Sequence, residues 1–197
     1  MIQIFERGYF REYRITDSQL NEALITTKSF SEGKTRSTKA SIFLSHKHSD
    51  LKELKDLIGF FSRVYDVDIY IDSMDKNMPK ETCGETAERI KRIIEKSDRF
   101  ILLATNDAIE SKWCNWELGY GDAQKYKDKI ALFPVKEIMT SNTQYKGNEY
   151  MQIYPFIAYF EGFETYYNGT FVKRGYYVCQ KDSEGNISVL KRLEDWL

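Results

Sequence analysis

Several features that would place this chain in a specialised class of protein are scarce or missing. No apolar run approaches the ~20 residues that a membrane-spanning helix needs, and residues 1–10 include Glu6 and Arg7, unlike a secretion signal. The 29 Lys and Arg residues nearly cancel the 30 Asp and Glu residues. A net charge of −1 gives no electrostatic reason to expect nucleic acid or an anionic membrane as a partner. We therefore expect a cytoplasmic protein.

Cysteine is also scarce, and the common nucleotide-binding motifs are absent. Cys83, Cys114 and Cys179 are far apart and odd in number, which fits three reduced thiols better than a disulfide framework or a zinc site. No GxGxxG follows a predicted strand, and neither GxxxxGK[ST] nor GxSxG occurs. Hydride transfer on a Rossmann cofactor and P-loop hydrolysis are therefore not expected, and the sequence indicates no bound cofactor.

The centre of the chain alternates strand and helix patterns. Short apolar runs predict strands, and the segments between them carry apolar residues at helical spacing. This alternation predicts an α/β fold, a flavodoxin-like three-layer sandwich in which a parallel sheet of about five strands carries helices on both faces. The expected strand order is 2-1-3-4-5, with the strands at 40–45, 68–71, 99–105 and 130–135 and a fifth strand or a short helix within 150–160.

Both ends of the chain differ from this centre. Residues 1–38 are expected to form an N-terminal extension and linker, with aromatic residues early and a polar stretch late. Residues 39–197 are expected to form the α/β domain, which includes a C-terminal hairpin. The hairpin is predicted because apolar residues at 176–178 and 187–189 flank the turn-forming residues 182–186.

In a doubly wound sheet, ligands bind beyond the carboxyl ends of the strands where the strand order reverses. Here the first and third predicted strands flank that point. The segments to inspect are therefore 45–48 and 106–117, with the loop 72–84 beside them.

Four segments along this region resemble the boxes of the TIR (Toll/interleukin-1 receptor) domain family. They occur in the family's order and together cover about residues 39–135. The last, Ser-Lys-Trp-Cys-Asn-Trp-Glu-Leu, matches the family's Ser-x-Trp-Cys-x-x-Glu-Leu segment and is the most specific. Ser41 replaces the acidic residue usual before the first-box Phe, and Lys80 follows Pro79 where the family often has Gly. The four segments are 41–46, 70–72 with Met78-Pro79, 97–103 and 111–118.

The resemblance implies that Glu117 is the catalytic residue for cleavage of NAD+ at the nicotinamide–ribose bond. Losing nicotinamide leaves cationic, oxocarbenium-like character on the ribose, which a carboxylate stabilises. Trp113 lies four residues before Glu117 and shares its helix face, where an indole can stack on the pyridinium or on adenine. By pattern alone, a helical Glu is usually a solvated residue and a Trp usually packs.

Four further residues are candidates for substrate binding. Ser45, His46 and Lys47 lie at the carboxyl end of the first strand, where they can meet ribose hydroxyls or phosphates. Asp72 either orients the ribose or merely ends its strand. The His46-x-His48 spacing has no carboxylate or Cys partner at ligand spacing, so no metal is expected.

The resemblance is to the bacterial enzymatic type, similar to the TIR component of Thoeris-like antiphage systems. It implies an NAD+ glycohydrolase or cyclase that makes ADP-ribose or a cyclic ADP-ribose-type signal for a separate effector. The alternative is a non-catalytic interaction module, as in TIR adaptors. A receiver domain needs an acidic cluster after the first strand, which residues 45–48 do not supply. We expect self-association through the loop after the second strand, with residues 73–84 closing over ligand or contacting a neighbour.

Overall fold

The computed structural model describes residues 4–22, 39–72, 84–125, 127–163, 169 and 171–197. Its strands are β1 Phe5–Glu6, β2 Ser41–Ser45, β3 Asp68–Tyr70, β4 Arg99–Ala104, β5 Ile130–Lys136, β6 Phe156–Phe160, β7 Gly175–Lys181 and β8 Ile187–Arg192. Its helices are α1 Leu51–Val64, α2 Gly84–Lys96, α3 Asn106–Ile109, α4 Lys112–Gln124, α5 Tyr150–Ile153 and α6 Leu193–Trp196. Residues 17–22 are also helical. No helix in the described ranges is both long and apolar enough to cross a membrane.

The predicted flavodoxin-like topology is confirmed. The strands lie in the order β3-β2-β4-β5-β6-β7-β8, and β2 to β6 pair in parallel. These five strands therefore have the expected order 2-1-3-4-5, and the order reverses between β2 and β4. The region 150–160 holds both elements that were considered, because the short helix α5 precedes β6.

The C-terminal hairpin is present, but it is part of the main sheet. β7 pairs antiparallel with β6, and β8 pairs antiparallel with β7, so the two strands extend the sheet at its edge. Sequence patterns specify a hairpin through its turn, whereas its docking on β6 depends on long-range pairing.

The core lies in two layers because the central strands are buried on both faces. The layer under α2 and α4 includes Phe43, Tyr70, Ile90, Phe100, Leu118 and Phe156. The layer under α1 includes Ile42, Leu44, Leu57, Phe60, Ile101 and Phe133, together with Phe5 and Phe10 from the N-terminal segment.

Residues 4–22 pack into this second layer. β1 pairs in parallel with the carboxyl end of β5, and Phe5 stacks on Phe133 at a centroid distance of 5.1 Å. A side chain at Gly59 of α1 would collide with the Tyr13 carbonyl oxygen, so glycine permits this close approach. Residues 23–38, which include most of the predicted linker, lie outside the described residues.

Candidate functional site

The candidate site lies where β2 ends, beside α4. The helix begins after Ser111, whose side chain accepts a hydrogen bond from the Cys114 amide and so fixes the first turn. Glu117 follows in the second turn and points at the sheet. There the Ser45 hydroxyl, at the last position of β2, donates to Glu117 Oε2 at 2.5 Å. Residues 72 positions apart thus meet at the point where the strand order reverses.

The Glu117 side chain is buried, and only one of its two carboxyl oxygens has a hydrogen-bond partner among the described residues. The residue is 1% exposed, and Oε1 has no hydrogen-bond partner within the described part of the chain. Burial raises the pKa of Glu117 well above its ordinary value, and the negative charge of Asp72 raises it further. The Ser45 hydroxyl and the indole N–H of Trp113 act in the opposite direction and lower this pKa. The burial excludes the interpretation of Glu117 as a solvated surface residue.

His46 and Asp72 lie next to this pair. His46 is buried, with Nδ1 3.4 Å from the Leu44 carbonyl oxygen and 3.9 Å from Asp72 Oδ1. Burial lowers the pKa of His46 below its ordinary value, although the charge of Asp72 opposes this shift. The imidazole is therefore mainly neutral near pH 7, and it lies beside a half-buried carboxylate.

Lys47 is placed differently from its neighbours. It is exposed, and its backbone carbonyl accepts a hydrogen bond from the Asp50 amide at 2.8 Å in the turn that leads into α1. The structure therefore brings Ser45, His46, Asp72 and Glu117 together, while the Lys47 side chain stays at the rim in solvent.

Trp113 belongs to a row of aromatic side chains along α4. Its ring stacks on Trp116 at a centroid distance of 4.8 Å, and Trp116 stacks on Tyr120 at 6.1 Å. Trp113 and Trp116 are half-buried against the core. Trp116 packs against the core, and its ring also supports that of Trp113. The i, i+3 and i, i+4 spacings of the row were a signal that could have shown this contact.

Asp50 is a structural carboxylate near His46 that the sequence patterns did not single out. It is fully buried and accepts a hydrogen bond from the Thr105 hydroxyl at 2.6 Å, which joins the loops after β2 and β4. Arg7 pairs with its other oxygen at 2.9 Å. Nothing near Asp50 in the sequence indicates a partner 43 residues away.

The N-terminal segment thereby reaches the same edge of the sheet. The Arg7 guanidinium also contacts Glu53 at 3.0 Å and Glu137 at 2.6 Å. This arginine is enclosed by carboxylates and connects α1 with the loop that follows β5.

Cys114 is buried on the same helix, close enough to Glu117 to feel its charge. Burial raises the pKa of its thiol to about 11, so the thiol stays protonated near pH 7 and is a poor nucleophile. Among the residues that the structure describes, no three His, Cys, Asp or Glu side chains converge as metal ligands do.

The fold and the site define a class: flavodoxin-like α/β domains with a buried carboxyl group at the switch point of the sheet. A family model described as TIR domain matches residues 42–163. The chain belongs to the TIR domain family.

Two relatives indicate which branch of the family the chain resembles. It is 32% identical over 123 residues to a Bacillus cereus (strain MSX-D12) protein named "Probable 3' cyclic ADP-D-ribose synthase ThsB'", covering 59% of this chain and 60% of that protein. It is 30% identical over 82 residues to "Putative cyclic ADP-D-ribose synthase TIR2" of Cytobacillus dafuensis, covering 40% of this chain and 21% of that protein. The chain thus spans less than two thirds of either relative.

Proposed function

We propose that this TIR domain cleaves NAD+ at the nicotinamide–ribose bond, with Glu117 as the catalytic carboxylate. The observation that carries the proposal is the buried Glu117 side chain at the switch point, with one oxygen held by Ser45 and the other without a partner in the described residues. The names of the two relatives, both cyclic ADP-D-ribose synthases, support the same chemistry.

The reaction needs one well-placed negative charge. When the bond between ribose C1′ and the nicotinamide nitrogen breaks, its electron pair leaves with the nitrogen and positive charge develops on the ribose. An ionised Glu117 stabilises that charge in a site with little competing water. Nicotinamide leaves as a neutral molecule, so no general acid is required. Water or a hydroxyl group of the same substrate then attacks C1′ and gives ADP-ribose or a cyclic isomer.

The raised pKa of Glu117 fits a substrate that is itself cationic. Burial and Asp72 favour the protonated carboxyl group in the free protein. A pyridinium ring bound beside the carboxyl group favours its ionised form, because opposite charges attract strongly where water is excluded. Binding of the cation and ionisation of Glu117 therefore reinforce each other.

The other candidate residues receive roles that follow from their positions. Trp113, supported by Trp116, offers a face for the pyridinium or adenine ring. His46 and Asp72, which lie 3.9 Å apart next to Ser45, are assigned to orienting ribose hydroxyls. Lys47, exposed at the rim, is available to a phosphate group. Each of these roles stays a prediction.

The signalling role is a further part of the proposal. A cyclic product would act as a messenger for a separate effector in antiphage defence, in line with the resemblance. The loop expected to mediate self-association lies at 73–83, outside the described residues. That contact, the effector and the cytoplasmic location stay predictions.

Mass spectrometry of the products formed from NAD+ tests the proposal. The native protein is expected to release free nicotinamide together with ADP-ribose or an isomer of cyclic ADP-ribose, and Glu117→Ala is expected to release neither. Both proteins should also be assayed at high concentration and with crowding agents, which promote assembly. Absence of turnover by the native protein under all these conditions would contradict the enzymatic proposal and favour an interaction module.

A further inference from the structure

We propose that Ser45 is a positioning residue, whose hydroxyl anchors Glu117 Oε2 so that Oε1 is the oxygen presented to the ligand. This inference rests on the proposed function of Glu117. It gives Ser45 a role different from the direct sugar contact expected from the sequence.

The geometry separates the two carboxyl oxygens. Ser45 is the last residue of β2 and pairs with Leu102 of β4, so its backbone is fixed by the centre of the sheet. Its hydroxyl has a single proton, which it donates to Oε2 at 2.5 Å. Oε1 is buried and has no partner in the described ranges. A buried, unpaired carboxyl oxygen is costly unless a ligand or water satisfies it.

The hydrogen bond to Glu117 argues against direct contact between Ser45 and a sugar. The single hydroxyl proton of Ser45 is already donated to Glu117 Oε2, whereas Glu117 Oε1 has no partner among the described residues. A ribose hydroxyl at this site is therefore expected to donate to Oε1 rather than to contact Ser45. Ser45 acts on the reaction through the carboxyl group that it holds.

The hydrogen bond from Ser45 also opposes the effect of the Asp72 charge on Glu117. The groups that face the Glu117 carboxyl are Trp113 and Cys114 from α4, Ser45 from β2, and Asp72 from the loop after β3. His46 Nδ1 in turn lies 3.9 Å from Asp72 Oδ1. Asp72 disfavours the ionised carboxyl group, and a donated hydrogen bond favours it. Loss of the Ser45 hydroxyl is therefore expected to make ionisation of Glu117 harder.

The chain offers a matched control on the same strand. Ser41, the first residue of β2, donates its hydroxyl proton to Asp98 Oδ2 at 2.7 Å, and it is 5% exposed. Ser41→Ala therefore removes a buried serine–carboxylate hydrogen bond from the opposite end of β2. A general loss of strand stability affects both variants, whereas a change at Glu117 affects only Ser45→Ala.

The first measurement needs no substrate. In protein labelled with 13C at the glutamate side-chain carboxyl carbon, the Glu117 signal is assigned by its absence in Glu117→Gln, and its chemical shift is followed against pH. The titration midpoint is expected to rise in Ser45→Ala and to stay at the native value in Ser41→Ala. An unchanged midpoint in Ser45→Ala would overturn the positioning role, even if the chain proved unable to cleave NAD+.

The second measurement uses nicotinamide release. In Ser45→Ala, kcat near neutral pH is expected to fall about tenfold, with KM within about threefold, because a hydrogen bond to a charged group is worth roughly this factor. The acid limb of the pH–rate profile should move to higher pH. Ser45→Thr keeps the hydroxyl and should restore the native position of that limb. A rise in KM alone, with kcat and the pH profile unchanged, would instead indicate direct substrate contact by Ser45.

Discussion

A serine hydroxyl donates to a carboxyl group at each end of strand β2, but the two carboxyl groups differ in burial and in their hydrogen bonds. At the amino end, Asp98 is half-buried and Oδ2 accepts hydrogen bonds from both the backbone amide and the hydroxyl of Ser41. The Asp98 amide in turn donates to the Ser41 hydroxyl at 3.0 Å. At the carboxyl end, Glu117 is buried, has one hydrogen bond from Ser45, and lies near a second carboxylate.

The difference shows how a structural carboxylate differs from one suited to chemistry. The reciprocal hydrogen bonds between Ser41 and Asp98 join β2 to the start of β4, and they already occupy Asp98 Oδ2. Among the described residues Glu117 Oε1 has no partner, and burying such an oxygen costs stability that the rest of the fold must offset. Buried groups with a strongly shifted pKa are often found at functional sites.

The largest expected effect is on catalysis, and it distinguishes the two carboxylates. Glu117→Gln is expected to reduce nicotinamide release by at least about 100-fold, because a neutral amide cannot stabilise a developing cation. Asp98→Asn removes a carboxylate at the other end of the strand and should leave the rate within about threefold of native. Initial rates with saturating NAD+ check both. Equal losses in the two variants would contradict the contrast drawn here.

The next effect concerns Asp50, a structural carboxylate at the same edge as Glu117. Arg7→Ala leaves this fully buried side chain with only the Thr105 hydroxyl, and breaking such a buried pair costs about 3 kcal/mol of the free energy of unfolding. Urea denaturation measures the change. Lys39→Ala removes the exposed pair with Asp66 and should cost less than about 0.5 kcal/mol. A negligible loss in Arg7→Ala would show that the N-terminal segment does not secure this edge.

A smaller effect is expected on the pH dependence of stability. The pKa of Glu117 is higher in the folded state than in the unfolded state. Its contribution to the free energy of unfolding is therefore complete below the pKa of the unfolded state, and it is lost as pH rises through the pKa of the folded state. Glutamine stays neutral, so Glu117→Gln should match native stability at about pH 4 and exceed it at about pH 8. Such a gain appears as a higher Tm of the variant at about pH 8.

Thermal melts across this pH range check the prediction. Asp98→Asn should instead be less stable than native at neutral pH, since it weakens a reciprocal hydrogen-bonded pair. A Glu117→Gln variant less stable than native at about pH 8 would mean that the ionised carboxylate is well accommodated in the free protein.

The sequence was sufficient for the order of the central strands and for the place where Ser45 and Glu117 meet. Apolar runs at strand spacing and helical periodicity are local signals, and the switch point follows from topology. It was not sufficient for the burial of Glu117, since a Glu beside Leu118 is compatible with either face of a helix. The partners of Arg7 and Phe5 depend on contacts with residues far along the chain, which no local pattern encodes.

The most direct test of the central claim is a crystal structure with an NAD+ analogue whose nicotinamide–ribose bond resists cleavage. We expect the sugar next to the nicotinamide to lie at the carboxyl end of β2, with a hydroxyl group within about 3.2 Å of Glu117 Oε1. Ser45 should still hold Oε2. A ligand bound elsewhere on the domain, or a sugar that leaves Oε1 without contact, would contradict the account.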